Sequence, residues 1–252
     1  MSWVVDVGNS SINWSETRGK QLVQPESFNW HELGMAESLD QAWGASGAPE
    51  RITCACVAGK DIEAEMAQWC RDVWQMEPEF IQAQQHGYGV SNAYLDAERL
   101  GADRWAALVA VRSLSDRPVC IVDCGTAITI DVMESGGKHL GGLILPGIGT
   151  MRSALLDRIG ITLEESEGGN STLFARNTTD GVNGGVLYAI IATLDRVYND
   201  VDTEMGTNID RIITGGDAAT LLPLLKGECK YMPDLVLQGL TIMSEFRQGG
   251  NE

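Results

Sequence analysis

No stretch of this 252-residue chain supplies the roughly 18 consecutive apolar residues that a bilayer-crossing helix needs. The best candidate, Val186–Leu194, is interrupted by Tyr188 and Thr193 and stops at Asp195, so no membrane span is expected. The opening Met-Ser-Trp-Val-Val-Asp lacks a basic region, an apolar core and a small-residue cleavage site, and a cytoplasmic location is the expectation. Basic residues are scarce: 18 Lys and Arg stand against 35 Asp and Glu, a formal charge of −17. Such a field repels a polyanion and leaves no basic stripe for phosphate contacts, so nucleic acid is not an expected partner. The same field opposes any nucleotide, which would have to be held by local backbone N–H groups, a few placed cations and bound metal. No two of the six cysteines (54, 56, 70, 120, 124 and 229) have Cys-x-x-Cys spacing, and reduced, mostly buried thiols are expected. The three histidines, 31, 86 and 139, are too scattered to suggest a metal centre or a triad.

What is present is enough apolar sequence, 44%, for a globular enzyme with a real core, and an internal repeat. Trp3-Val-Val-Asp-Val-Gly-Asn-Ser10 and Cys120-Ile-Val-Asp-Cys-Gly-Thr-Ala127 share an apolar run, Asp, any residue, Gly and a small polar residue, with the aspartates 117 positions apart. Each copy continues with alternating residues, so both read as β-hairpins whose turn is Asp-x-Gly-[Asn/Thr]. Two related halves follow, divided near Leu114–Pro118 into 1–116 and 117–252. Arg51–Ala58, Glu79–Gln82 and Ile209–Thr214 read as strands. Ile62, Met66, Trp69, Cys70, Val73 and Trp74 mark a helix face, and Val182–Tyr198, Asp217–Leu225 and Asp234–Phe246 have helical spacing. Glu165–Ser171 reads as a mobile loop.

A glycine after Asp-x lets the backbone turn tightly and approach a ligand, and the following Asn or Thr offers hydrogen bonds to phosphate oxygens. The aspartates repel phosphate and would have to act through a cation or oriented water, which implies metal dependence. A single such turn is an ordinary hairpin, but two in register point to a polyphosphate grip. Between them, Asn92–Val111 combines an irregular stretch, Gly101 and a long apolar helix from near Asp103. Asp103 suits a helix first turn, yet a carboxylate there can also take the proton of an attacking hydroxyl, and Arg104 can pair with a carboxylate or phosphate. Gly141-Gly-Leu-Ile-Leu-Pro-Gly147 places a strand before a Pro-Gly turn and the helix around Met151–Ile159. Asn177-Thr-Thr-Asp-Gly181 opens the long helix, by capping or by meeting a polar ligand, and Thr214-Gly-Gly-Asp-Ala218 is a strand-to-helix turn against which adenosine could lie.

Taken together, Asp6-Val-Gly-Asn-Ser10, Gly101-Ala-Asp-Arg104, Asp123-Cys-Gly-Thr126, Gly141–Gly147, Asn177-Thr178, Thr214-Gly-Gly216 and Pro233–Leu240 resemble the type III pantothenate kinases, in order and over nearly the full length. That family belongs to the superfamily of acetate kinase, sugar kinases, heat-shock chaperones and actin. The resemblance implies an α/β chain of two ribonuclease-H-like domains with duplicated topology, a homodimer, and ATP in an interdomain cleft. Its implied reaction is phosphorylation of pantothenate at the start of coenzyme A synthesis. By matching positions it implies Asp6, Val7, Gly8, Asn9, Ser10 and Thr126 around the ATP phosphates, with Tyr94, Gly101, Ala102, Asp103, Arg104 and Thr178 around pantothenate. Asp103 is the implied proton acceptor and Asp123 the implied ligand of a monovalent cation, K+ or NH4+, alongside Mg2+ carried with ATP. Asn13 stands where the family usually has lysine, and no phosphate role is assigned to it; Ser10 replaces the commoner threonine and keeps the hydroxyl.

Two other functions are compatible with the fold. A non-catalytic, nucleotide-dependent regulator would have no need of Asp103. A kinase for a sugar or another small acid would lack the pocket formed by Tyr94, Gly101–Arg104 and Thr178.

Overall fold

The computed structural model describes residues 1–160, 174–207 and 209–249; the loop expected at Glu165–Ser171 lies outside them. The described chain begins β1 (Ser2–Val7), β2 (Ser11–Arg18), β3 (Gln21–Asn29), α1 (Met35–Trp43), β4 (Arg51–Cys56), α2 (Lys60–Trp74) and β5 (Glu79–Phe80). A short hairpin of β6 (His86–Gly87) and β7 (Val90–Ser91) leads to α3 (Ala102–Leu114). Then come β8 (Val119–Cys124), β9 (Ala127–Met133), β10 (His139–Pro146), α4 (Ile148–Ile159), α5 (Thr178–Met205), β11 (Asp210–Thr214), α6 (Ala218–Leu221), β12 (Lys230–Tyr231) and α7 (Leu235–Gly249). Among the described residues no helix is long and apolar enough to cross a membrane.

Both Asp-x-Gly sequences close hairpins: β1 pairs antiparallel with β2, placing Val7 opposite Ile12, and β8 pairs antiparallel with β9, placing Cys124 opposite Ile128. The two five-stranded sheets have matching orders, β3-β2-β1-β4-β5 and β10-β9-β8-β11-β12. β4 joins β1 in parallel as β11 joins β8, so Asp6 lies opposite Ala55 and Asp123 opposite Thr214. This is the duplicated α/β topology expected from the repeat, with equivalent aspartates at the ends of equivalent strands.

The chain divides into two packed units. Unit 1 comprises Met1–Asp116, Glu134–Gly141 and the C-terminal segment from Asp234; unit 2 comprises Arg117–Met133 and Gly142–Pro233. The division into 1–116 and 117–252 expected from the sequence differs from these units, because the last helix, α7, packs on α3 and on β1, β2, β3 and β4.

In unit 1 strand alternation separates two faces of the sheet. Trp3, Val5 and Val7 pack with Ile52 and Cys54, with Leu39 and Trp43 of α1, and with Met66, Trp69 and Trp74 of α2. Val4 and Asp6 take the other face, the side covered by α7. α3 is buried along most of its length, from Arg104 to Val111. In unit 2 the core joins Cys120, Val122 and Ile130 of the sheet to Val186, Ile190, Leu194 and Tyr198 of α5.

α3 and α7 approach backbone to backbone: a Cβ added at Gly239 would overlap the carbonyl oxygen of Ala106. Alanine in a helix interior ordinarily gains about 1 kcal/mol over glycine. Overpacking of this kind costs about 1–3 kcal/mol and wins here. Gly239→Ala is therefore expected to lower the midpoint of denaturant unfolding despite its better helix propensity; an unchanged or raised midpoint would mean that the two helices can separate without cost.

Candidate functional site

In unit 1 the first turn is held almost wholly by backbone. Gly8 N–H donates to Ser11 O at 3.0 Å, Trp30 Nε1 donates to Gly8 O at 3.0 Å and Trp30 N–H donates to Ser10 O at 3.3 Å. Asn9 is exposed at the tip, and Asp6, Gly8 and Ser10 are half-buried. Asn13, opposite Asp6 in the hairpin, donates from Nδ2 to Asp6 Oδ2 at 3.3 Å. This residue thus contacts the aspartate as a neutral donor. Trp30 had no signal in the sequence, because its contact with Gly8 spans the third strand of the sheet.

The next element of the site is reached through Val57, whose N–H donates to Val7 O at 3.0 Å. A Cβ built on Gly101 would lie 3.5 Å from Val57 Cγ1 and would collide with Asp103 Oδ1. Gly101 precedes α3 because any side chain there would displace the Asp103 carboxylate. Asp103 sits in the first turn of α3, half-buried, and its Oδ1 accepts the Arg104 N–H at 2.6 Å. Arg104 is buried, and burial of a cation requires partners. Its Nη1 donates to Tyr94 Oη at 2.8 Å, and its guanidinium carbon lies 5.6 Å from the Tyr94 ring centroid. Tyr94 is fixed by Asn92, whose Oδ1 accepts the Tyr94 N–H at 2.9 Å, and its ring lies beside His139. Unit 1 therefore joins the Asp6–Ser10 turn to Gly101, Ala102, Asp103, Arg104 and Tyr94 at one end of its sheet. Asn92 and His139 are the neighbours that sequence reasoning did not assign.

Unit 2 builds the second turn the same way. A Cβ on Gly215, whose φ is +90°, would collide with Asp123 Oδ1 and sit 2.5 Å from the Cys124 carbonyl oxygen. Gly147 N–H donates to Thr126 O at 3.0 Å, and Thr150 Oγ1 donates to the same oxygen at 2.6 Å. Thr126 is exposed and Asp123 half-buried. Asp217, beside the Gly215-Gly216 turn, has its carboxyl pushed above the usual range by burial, and its N–H donates to Cys124 O at 2.9 Å. The Gly141–Gly147 and Thr214–Gly216 motifs thus converge on Asp123–Thr126. Burial keeps the Cys124 thiol far above its ordinary pKa, with the Asp123 and Asp217 charges adding to the shift. Thr178 is also in unit 2, exposed on the first turn of α5, which Asn177 caps by accepting the Asp180 N–H at 2.8 Å. It lines an open apolar groove of about 530 Å³ with Met151 and Leu155 of α4 and Val182 and Val186 of α5. It belongs to a different unit from Tyr94 and Gly101–Arg104.

The donor set offers oxygens and no cage: among the described residues no group of three or more His, Cys, Asp or Glu could hold a metal ion. Such a set fits a magnesium ion that arrives on a nucleotide and completes its shell with phosphate and water, not one that the chain cages by itself.

All six cysteines are free. Cys56 ends β4 near the first turn, and burial pushes its thiol up to about 11, against the opposing pull of the Ala58 and Gly59 N–H groups. At pH 8 its thiolate fraction is then roughly 100-fold below that of an ordinary thiol. Alkylation of the native chain at pH 8 is expected to modify Cys56 correspondingly slowly, measured by peptide mass spectrometry against the unfolded chain; labelling at equal rates would contradict the packing described.

Residues 3–200 match the family model of the type III pantothenate kinases. A type III pantothenate kinase of Nitrosococcus oceani is 42% identical over 245 residues, covering 95% of this chain and 92% of the relative. Another, from Nitrosospira multiformis, is 33% identical over 255 residues, covering 98% and 93%. Among solved structures, a Campylobacter jejuni protein described as a Baf family transcriptional activator superposes with a TM-score of 0.61 at 22% identity, covering 99% of this chain and 100% of that one, a likeness of fold. Since the family match spans most of the sequence and includes both Asp-x-Gly turns and the Gly101–Arg104 element, the chain belongs to the type III pantothenate kinase family.

Proposed function

We propose that this chain transfers the γ-phosphate of ATP to the primary hydroxyl of pantothenate, giving 4'-phosphopantothenate and ADP at the start of coenzyme A synthesis. The observation that carries this reading is the meeting, at one end of the unit 1 sheet, of the Asp6–Ser10 turn and the Gly101–Arg104 element, joined through Val57.

In the reaction the pantothenate hydroxyl oxygen bonds to the γ-phosphorus, the bond to the β,γ-bridging oxygen breaks, and ADP leaves. Asp103 accepts the hydroxyl proton, a step for which a carboxylate of ordinary basicity suffices when proton transfer is late. Its hydrogen bond from the Arg104 N–H supports a fixed orientation of the carboxylate. Arg104 supplies the counter-charge for the pantothenate carboxylate, and we assign Tyr94, Gly101, Ala102 and Thr178 to pantothenate as well. We assign the ATP phosphates to Asp6, Val7, Gly8, Asn9 and Ser10 of the first turn and to Thr126 of the second. Mg2+ bound with ATP supplies neutralisation of charge on the phosphate oxygens. We assign to Asp123 a monovalent cation, K+ or NH4+, and the close seating of its carboxylate against Gly215, which leaves no room for a Cβ, supports that assignment.

We further propose that the chain works as a homodimer in the cytoplasm. Exposed apolar side chains on unit 2, among them Leu155 and Ile159 of α4 and Tyr188 of α5, support a covered face. Six free cysteines suit a reducing compartment.

Asp103→Asn tests the assignment. The expected result is a fall in kcat of about 10²–10⁴-fold with KM for ATP little changed, in an assay of phosphopantothenate with ATP, magnesium and potassium. Turnover by the variant equal to that of the natural chain would remove Asp103 as the base. Replacing potassium by sodium is expected to lower activity; equal rates in both salts would remove the monovalent cation from the account.

A further inference from the structure

The segment Glu134–Gly141 packs with unit 1, although the chain on either side of it belongs to unit 2. It is a tight tongue: Glu134 N–H donates to Lys138 O at 2.9 Å, Gly137 N–H donates to Glu134 O at 3.2 Å, and Lys138 Nζ lies 3.1 Å from the Glu134 carboxylate. Backbone contacts decide where it lands. Ser91 N–H donates to Gly137 O at 2.9 Å, and Ser91 forms an isolated parallel bridge with Lys138. Gly137 has a φ of +86°, and a Cβ there would run into the carbonyl oxygen of Gly89, which also accepts from Arg112 Nε at 3.0 Å. Any other residue would be strained in conformation and would push the tongue away.

So docked, the tongue carries His139 into the interior, where it is 1% exposed. The imidazole lies nearly parallel to the Tyr94 ring, with 16° between planes and 6.3 Å between centroids, within the range of offset stacking. Its Nδ1 accepts the Ala93 N–H at 3.4 Å, on the residue next to Tyr94. Tyr94 is then held on three sides: its N–H by Asn92, its hydroxyl by Arg104 and its ring by His139. Only the last of these comes from outside the segment 92–104. Without that ring, the face of Tyr94 turned toward the tongue would lose its packing partner, and the tyrosine–arginine pair would gain rotamers that must be lost again on binding.

We propose that His139 is a positioning residue for the acceptor site, acting through Tyr94 and Arg104 on pantothenate and not on ATP. The inference rests on the pantothenate kinase reading above. Its test is the separation of the two Michaelis constants in His139→Ala and His139→Phe. KM is independent of the fraction of folded enzyme, so partial loss of stability in either variant lowers only the apparent kcat. The expected result for His139→Ala is a KM for pantothenate raised roughly threefold to tenfold, the range of an aromatic pair, with KM for ATP unchanged. His139→Phe keeps a ring against Tyr94 and is expected to stay within about twofold of the natural chain. An unchanged pantothenate KM in His139→Ala, an equal rise in both constants, or a phenylalanine variant as impaired as the alanine one would each overturn the inference. A natural chain that forms no phosphopantothenate would overturn the functional reading itself, and this inference with it.

Discussion

The close crossing of α3 and α7 is the constraint on which the proposed acceptor site depends. Gly239 lets the backbone of α7 meet that of α3 at Ala106, one turn beyond Asp103 and Arg104. A helix buried from Arg104 to Val111 has little freedom to slide or rotate, so its first turn is presented in a fixed place. Gly101 then leaves room for the Asp103 carboxylate, and Val57 links that turn to the end of β1. The part of the Pro233–Leu240 motif that lies in α7 thus has a role in the helix packing of unit 1, through Gly239.

A chain of formal charge −17 that handles ATP and a carboxylate must solve its electrostatics locally. In the proposed acceptor site the counter-charge is the buried Arg104 guanidinium, whose Nη1 donates to the Tyr94 hydroxyl and whose backbone N–H donates to Asp103 Oδ1. At the first turn, to which we assign the ATP phosphates, the carbonyls of Gly8 and Ser10 accept from Trp30, and Asn13 lends Asp6 a neutral hydrogen bond in place of a charge. Long-range attraction plays no part in such a site, and phosphoryl transfer needs little beyond positioning and neutralisation.

The parts of this architecture legible in the sequence are those made by local rules. Asp-x-Gly between alternating runs identified both hairpins, and the apolar spacing in α2, α3 and α7 identified those helices within a few residues. Where tertiary context rules, the reading fell short. β3 was not recognised: it is an edge strand holding Pro25 and a Gln24 at φ +50°, and its pairing with β2 shifts register after Trp14. α1 was passed over, and α5 begins at Thr178, four residues before the expected start, because Asn177 caps it and its first turns tolerate Gly181, Gly184 and Gly185. The helix expected over Asp217–Leu225 is one short turn, Ala218–Leu221, followed by a 3-10 turn at Leu222–Leu224, since Pro223 cannot continue the ladder. Among site residues, Asp6, Gly8 and Gly101–Arg104 were visible as motifs. His139 and Asn92 were not, since their roles arise from where the Glu134–Gly141 tongue and the 92–97 loop land, and no spacing rule encodes that.

The central claim is transfer of phosphate from ATP to the hydroxyl of pantothenate, and phosphorus NMR of the purified chain with ATP, magnesium, potassium and pantothenate observes it directly. The account requires a phosphate monoester signal that grows in step with ADP as the γ-phosphate signal declines, and only when pantothenate is present. ADP appearing with inorganic phosphate and no ester, or ATP remaining intact in the presence of pantothenate, would contradict it.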